Sequence, residues 1–102
     1  MSILNAFNSL FKSSSHDDLK ELINKGAILI DVRTRTEFNG GHVKNSKNIP
    51  LDEIDSNLSK LDKQQTFILV CASGMRSRSA TSMLKRNGFG NVYDGGCWSR
   101  FI

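Results

Sequence analysis

Residues 66–77 read TFILVCASGMRS. The apolar run that ends at Cys71 predicts a β-strand buried on both faces. Gly74 permits a tight turn, and the pattern beyond it predicts a helix over about Arg76 to Asn87. The stretch therefore predicts a buried strand that ends in a short loop at the start of a helix. Open α/β sheets bind their ligands at such places.

Predicted strands and helices also alternate on both sides of this stretch. Ser15 is predicted to cap a first helix that Gly26 ends, and a second apolar run, Ala27 to Val32, predicts another central strand. The remaining predicted elements are short strands near Asn48 to Pro50 and Asn91 to Tyr93, a turn at Gly40-Gly41 and a helix from about Asp52 to Leu61. Alternating strands and helices predict an α/β fold, a small, open and mostly parallel sheet with helices on both faces.

The loop after Cys71 has the features of a reactive thiol site. Cys71 faces the unpaired N–H groups at a helix start and the positive end of the helix dipole, and Arg76 places a permanent cation nearby. All three favour the thiolate, which is the nucleophilic form of cysteine. The alternative is that Cys71 is a small packing residue at the end of a strand.

Four separate motifs in this order resemble the rhodanese-like domain family, over about Ser15 to Phe101. The first two are Leu29-Ile30-Asp31-Val32-Arg33 with Glu37-Phe38, and Gly41-His42-Val43 running to Asn48-Ile49-Pro50. The other two are the loop from Cys71 to Ser77, and Asp94-Gly95-Gly96 with a following aromatic residue. The resemblance implies the rhodanese-like fold and a sulfurtransferase activity.

By this resemblance, Cys71 is the catalytic residue. It would take a sulfane sulfur from a donor, hold it as a persulfide, and deliver it to a thiol, a sulfur-acceptor protein or cyanide. Arg76 would help to bind a small anionic donor such as thiosulfate; a polysulfide or a protein persulfide is an alternative donor. The backbone N–H groups of the loop would hold the persulfide, and the substrate-binding residues are then Ala72, Ser73, Gly74, Met75, Arg76 and Ser77. Neither a metal nor an organic cofactor is implied.

Three other functions compete with this prediction. A related phosphatase and arsenate reductase branch has five residues between its Cys and Arg, whereas four separate Cys71 from Arg76, and the shorter loop favours sulfur. A non-catalytic sulfur carrier or redox-sensing interaction domain would also use a reactive Cys71. Nucleic acid is not an expected partner, because the basic residues are not interleaved with aromatic ones.

Other polar residues receive structural assignments. Asp31, Arg33 and Glu37 lie near the end of the first central strand, where an ion pair or a hydrogen-bonded turn is expected, because buried charges persist when paired. His42 could act as an acid or base, but the family resemblance implies that it lies at a structural turn away from the loop, where we expect its ring hydrogen bonds to be satisfied. Cys97 is either a packing thiol or a second sulfur-relay thiol near Cys71.

Length and charge limit the class of protein. The chain has 102 residues and a net charge of +4, and from residue 71 onward it carries five basic residues against one acid. We expect a single folded domain over 15–102, preceded by an amphipathic segment over 1–14. Two cysteines and no secretory signal predict a cytoplasmic protein, with no membrane span. We expect a monomer or a weak dimer.

Overall fold

The computed structural model describes residues 15–102, so the segment predicted over 1–14 lies outside the described residues. The strands are β1 (Ile28–Asp31), β2 (Lys47–Asn48), β3 (Phe67–Cys71) and β4 (Val92–Cys97). The α-helices are α1 (His16–Asn24), α2 (Arg35–Asn39), α3 (Ile54–Asn57) and α4 (Met75–Arg86). The described strands form one parallel sheet in the order β2-β1-β3-β4, which confirms the predicted α/β class. Within 15–102, no helix is long and apolar enough to span a bilayer.

The first helix begins where the sequence predicts. Ser15 Oγ accepts the backbone N–H of Asp18 at 3.1 Å, and the Asp18 carboxylate accepts the Ser15 N–H in return. This capping box satisfies two of the N–H groups that the first turn leaves free. Leu19 is the buried residue of α1 and packs on one face of the sheet.

The central strand β3 divides the core into two layers. Phe67, Leu69 and Cys71 belong to the cluster that includes Ala80 and Leu84 of α4. Ile68 and Val70 point to the opposite face, where they pack with α1 and Phe101. Because side chains alternate along a strand, this register places the Cys71 side chain on the α4 face.

The prediction of a single helix from about Asp52 to Leu61 is wrong. Only Ile54–Asn57 is α-helical, between two 3₁₀ turns, Leu51–Glu53 and Leu58–Lys60. Asn57 Nδ2 donates to the Glu53 carbonyl at 2.8 Å, and the Ser56 hydroxyl donates to the same oxygen at 3.1 Å. Such side chains compete with backbone N–H groups for the carbonyls of a helix.

Two strand predictions also differ from the structure. β2 is Lys47–Asn48 and stops before Pro50, which has no N–H for the ladder and instead precedes a 3₁₀ turn. β4 continues to Cys97 instead of ending at Tyr93, because a β-bulge absorbs Gly95: Leu69 pairs with Asp94, and the next residue, Val70, pairs with Gly96.

The bulge leaves no room for a side chain at Gly95. A Cβ there would lie 2.9 Å from both Ile68 Cγ2 and Val70 Cγ1, and 3.2 Å from the Leu69 carbonyl oxygen. We expect Gly95→Ala to lower the free energy of unfolding by about 1–3 kcal/mol, the usual cost of overpacking a core. Urea denaturation measures this loss. Gly90→Ala is the matched control, because a Cβ at Gly90 meets nothing within 4 Å; equal stability of the two variants would contradict the expectation.

Candidate active site

The loop between β3 and α4 encloses the Cys71 sulfur. Cys71 is the last residue of β3 and is fully buried. Its Sγ accepts the backbone N–H of Gly74 at 3.0 Å and that of Ser77 at 3.3 Å. The Ser77 N–H lies in the first turn of α4, where N–H groups have no intrahelical acceptor. The sulfur therefore occupies an anion site formed by the backbone.

The loop keeps its backbone turned inward and its side chains outward. Gly74 caps α4 with φ +103°, in the left-handed region that suits glycine. Ala72 and Ser73 are exposed, and Met75 is 77% exposed. The outward side chains form the mouth of the loop, while the N–H groups of Gly74 and Ser77 reach the sulfur.

Opposing effects set the protonation of Cys71. Burial raises the pKa of the thiol, but hydrogen bonds from the Ser77 hydroxyl and from the N–H groups of Ser77, Gly74 and Ser73 outweigh it, and the pKa falls below its ordinary value. The single hydroxyl proton of Ser77 has a shorter contact elsewhere, at Asp94 Oδ1 (2.7 Å). The backbone donors are therefore the ones that favour the thiolate whichever way this hydroxyl points.

Asp94 supports the loop from β4, a role that the sequence did not suggest. Its Oδ1 accepts the Ser77 hydroxyl at 2.7 Å and the Gly96 N–H at 3.0 Å. The Ser77 hydroxyl also lies 3.1 Å from the Gly74 carbonyl oxygen. Asp94 thus connects the bulged end of β4 to the start of α4. The only signal for it in the sequence was its place in the Asp94-Gly95-Gly96 motif.

The Ser77 hydroxyl gives a pH prediction. We expect Ser77→Ala to move the pH profile of Cys71 alkylation by iodoacetamide to higher pH, because the variant removes a hydroxyl that lowers the pKa of Cys71 and leaves the nearby Asp94 carboxylate without its Ser77 donor. The profile is measured in a Cys97→Ser background, since the pKa of Cys97 is also lowered, mainly by the Ser99 hydroxyl. Ser79→Ala, an exposed serine of the same helix, is the control. An unchanged Ser77→Ala profile would show that the hydroxyl does not influence the thiol.

Arg76 is held by a carboxylate from α2. Its Nη1 donates to Glu37 Oε1 at 2.7 Å and its Nη2 donates to Oε2 at 3.0 Å, a bidentate pair with both side chains about one-third exposed. The Arg76 guanidinium, together with the N–H and hydroxyl of Thr34, lowers the pKa of Glu37 to about 2. The carboxylate in turn raises the pKa of Arg76. Both groups are charged at neutral pH.

Asp31 and Arg33 form a separate, buried ion pair at the end of β1. Arg33 Nη2 lies 2.8 Å from Asp31 Oδ2, and Arg33 Nε donates to the same carboxylate at 3.0 Å. The guanidinium also donates to the Gly41 carbonyl and stacks over Trp98, 4.3 Å from the ring centroid. Of the three charged residues grouped in the sequence, Glu37 is thus paired with Arg76 and not with Arg33.

His42 and Cys97 complete the set of predicted residues. His42 is exposed; its Nδ1 lies 2.8 Å from the Phe38 carbonyl oxygen and its ring stacks on Phe38. Cys97 is half-buried and pairs with Cys71 in the register of β3 and β4. Among residues 15–102, no three His, Cys, Asp or Glu side chains are grouped closely enough to hold a metal ion.

Known proteins share this architecture. A family model described as Rhodanese-like domain matches residues 15–97. The thiosulfate sulfurtransferase GlpE of Pseudomonas savastanoi is 33% identical over 88 residues, which are 84% of this chain and 83% of that protein. A tRNA sulfurtransferase of Thermoplasma acidophilum is 35% identical over 75 residues, which are 74% of this chain but 15% of that protein. The structure of the human single-domain sulfurtransferase TSTD1 matches with a TM-score of 0.76 at 26% identity and covers 82% of this chain and 89% of that one.

Proposed function

This chain belongs to the rhodanese-like domain family, and from that premise we propose that it is a sulfurtransferase that carries a sulfane sulfur on Cys71 as a persulfide. One observation carries the proposal: the Cys71 sulfur accepts two backbone N–H groups, from Gly74 and Ser77, at the start of α4. A buried thiol surrounded by short donors suits a nucleophile whose product is a small anion on the same sulfur.

The chemistry has two steps. In the first, the Cys71 thiolate attacks the sulfane sulfur of the donor; a new S–S bond forms, the old one breaks, and the leaving group departs with the electron pair. In the second, the thiolate of an acceptor, or cyanide, attacks the terminal sulfur and releases Cys71 as the thiolate. The N–H groups of the loop stabilise the negative charge on sulfur in both steps, because they are preorganised donors around a buried sulfur atom.

The proposed donor and acceptor classes are those that the family resemblance implies. The donor is thiosulfate, a polysulfide or a protein persulfide, and the acceptor is a thiol, a sulfur-acceptor protein or cyanide. No resident cofactor takes part, since the sulfur is carried covalently. The cytoplasm is the proposed compartment, because Cys71 and Cys97 are free thiols that a reducing environment maintains.

A second candidate function is a sulfur carrier or redox-sensing interaction domain. The observation that favours it is the pairing of Cys97 with Cys71 in adjacent strands, together with the partial exposure of Cys97. Neighbouring strands lie about 4.8 Å apart, within the Cα separation of about 4.4–6.8 Å that disulfides span. Catalytic turnover with small donors and acceptors separates the two functions, because a carrier or sensor would react once and stop.

The proposal is tested by intact mass spectrometry. The reduced protein is incubated with thiosulfate, with a polysulfide or with a persulfide, desalted, and weighed before and after treatment with a reductant. We expect a gain of one sulfur atom that the reductant reverses and that cyanide removes with formation of thiocyanate. A protein that gains no sulfur from any of the donor classes would exclude sulfur transfer by this site.

A further inference from the structure

The guanidinium of Arg76 is already occupied in the structure. Its two outer nitrogens donate to the two oxygens of Glu37, at 2.7 Å and 3.0 Å. This fork-to-fork arrangement is also the one by which an arginine binds a small oxyanion. An anionic donor that uses these nitrogens must therefore displace Glu37.

Glu37 is itself fixed in place. Its Oε1 accepts the Thr34 N–H at 2.9 Å and the Thr34 hydroxyl at 3.1 Å, and Thr34 Oγ1 accepts the Glu37 N–H. These contacts form the capping box of α2, which holds the carboxylate before Arg76 reaches it. With a pKa of about 2, Glu37 stays ionised throughout the neutral range. The positive charge at the loop mouth is thus balanced by a permanent, positioned negative charge.

We propose that Glu37 sets the donor preference of the site by neutralising Arg76, which disfavours the thiosulfate dianion and favours a donor that carries its sulfane sulfur with a single charge, such as an alkyl or protein persulfide. The inference rests on the proposed sulfurtransferase function and names its substrate class. It changes the role implied for Arg76 by the family resemblance, because a free guanidinium would favour the dianion instead.

The charge balance of the two reactions explains the preference. With thiosulfate, the Cys71 thiolate takes the sulfane sulfur and sulfite leaves as a dianion, so three negative charges meet beside Glu37. With a persulfide anion, the same bond forms and a thiolate leaves, so two negative charges meet there. A free guanidinium would attract three negative charges more strongly than two, so its neutralisation by Glu37 disfavours the reaction of thiosulfate more than that of a persulfide anion.

The variant Glu37→Gln tests the proposal. Glutamine at this position retains the capping box and one hydrogen bond to Arg76 while removing the negative charge. We expect the KM for thiosulfate to fall about tenfold, and the KM for 2-mercaptoethanol persulfide, which carries half the charge, to fall about threefold. Rates are measured at constant ionic strength with cyanide as the acceptor, and circular dichroism checks that the variant is folded.

Two further variants make the result specific. Glu53→Gln removes a carboxylate that pairs with Arg35 on the surface, and it should leave the KM for thiosulfate unchanged. The double variant Glu37→Gln/Arg76→Ala should not show the lower KM for thiosulfate, because the lower KM requires a free guanidinium. If the lower KM persists in this double variant, or if Glu53→Gln also lowers the KM, the effect depends on the net charge of the protein alone. Either result would overturn the proposal.

The outcomes separate this inference from the proposed function. If the parent protein and Glu37→Gln use thiosulfate with the same KM, Glu37 does not set the donor preference, although the enzyme remains a sulfurtransferase. If neither protein forms a persulfide with either donor, the proposed function itself fails. If Glu37→Gln is unfolded, the double variant Glu37→Ala/Arg76→Ala decides: because the pair is neutral overall, the proposal expects its KM for thiosulfate to stay within twofold of the parent value, and any larger change would overturn it.

Discussion

Replacement of Cys71 by serine is expected to abolish sulfur transfer. A serine hydroxyl is almost fully protonated at neutral pH and forms no persulfide, so turnover with any sulfane donor should fall by at least about 1000-fold. The fold should survive, because serine is nearly isosteric and its Oγ can accept the Gly74 and Ser77 N–H groups that now contact sulfur. The measurement is the steady-state rate of thiocyanate formation, with the thermal unfolding midpoint as the check on folding.

Cys97→Ser provides the control for this experiment. It removes the other free cysteine of the chain while leaving the loop contacts of Cys71 in place. Full turnover in Cys97→Ser, with none in Cys71→Ser, would assign the carrier sulfur to Cys71 and remove the relay hypothesis for Cys97. Sulfur transfer that survives in Cys71→Ser would contradict the proposed mechanism.

Asp31→Asn is expected to cause the largest loss of stability. Asp31 is fully buried and the Arg33 side chain is 5% exposed, so removing the carboxylate charge leaves a buried guanidinium without its counter-ion. Breaking a buried ion pair in this way costs about 3–5 kcal/mol. Urea denaturation followed by circular dichroism gives the free energy of unfolding.

An exposed ion pair provides the comparison. Glu21 and Lys25 are 3.8 Å apart with both side chains about two-thirds exposed, so Glu21→Gln should change stability by less than about 0.5 kcal/mol. A loss below about 1 kcal/mol in Asp31→Asn would show that Arg33 finds enough compensation from the Gly41 carbonyl and from Trp98.

Local patterns in the sequence predicted most of the fold. The apolar run before Cys71 and the glycine at position 74 were enough to predict β3, the loop and α4, because each feature depends on residues close in the chain. The helix predicted over 52–61 was wrong because the side chains of Ser56 and Asn57 bond to the Glu53 carbonyl, which hydrophobic spacing does not reveal.

Features that depend on contacts between residues distant in the chain could not be predicted from the sequence. The extension of β4 depends on how Gly95 fits against Ile68 and Val70 of β3. The partner of Arg76 is 39 residues earlier in the chain, and charge types alone did not distinguish Glu37 from the neighbouring acid, Asp31. The folded structure makes that choice, because it places Glu37 of α2 within hydrogen-bond distance of Arg76.

The contact between Arg33 and Trp98 makes the intrinsic tryptophan fluorescence of the domain a probe of its structure. Trp98 is the single tryptophan of the chain, and its half-buried indole lies under the guanidinium of the Asp31–Arg33 pair. Indole fluorescence is sensitive to nearby charge and to solvent, so the emission spectrum will follow this ion pair without any label. Because Trp98 also comes directly after β4, at the start of a 3₁₀ turn, the same signal will report on the unfolding of this edge of the sheet.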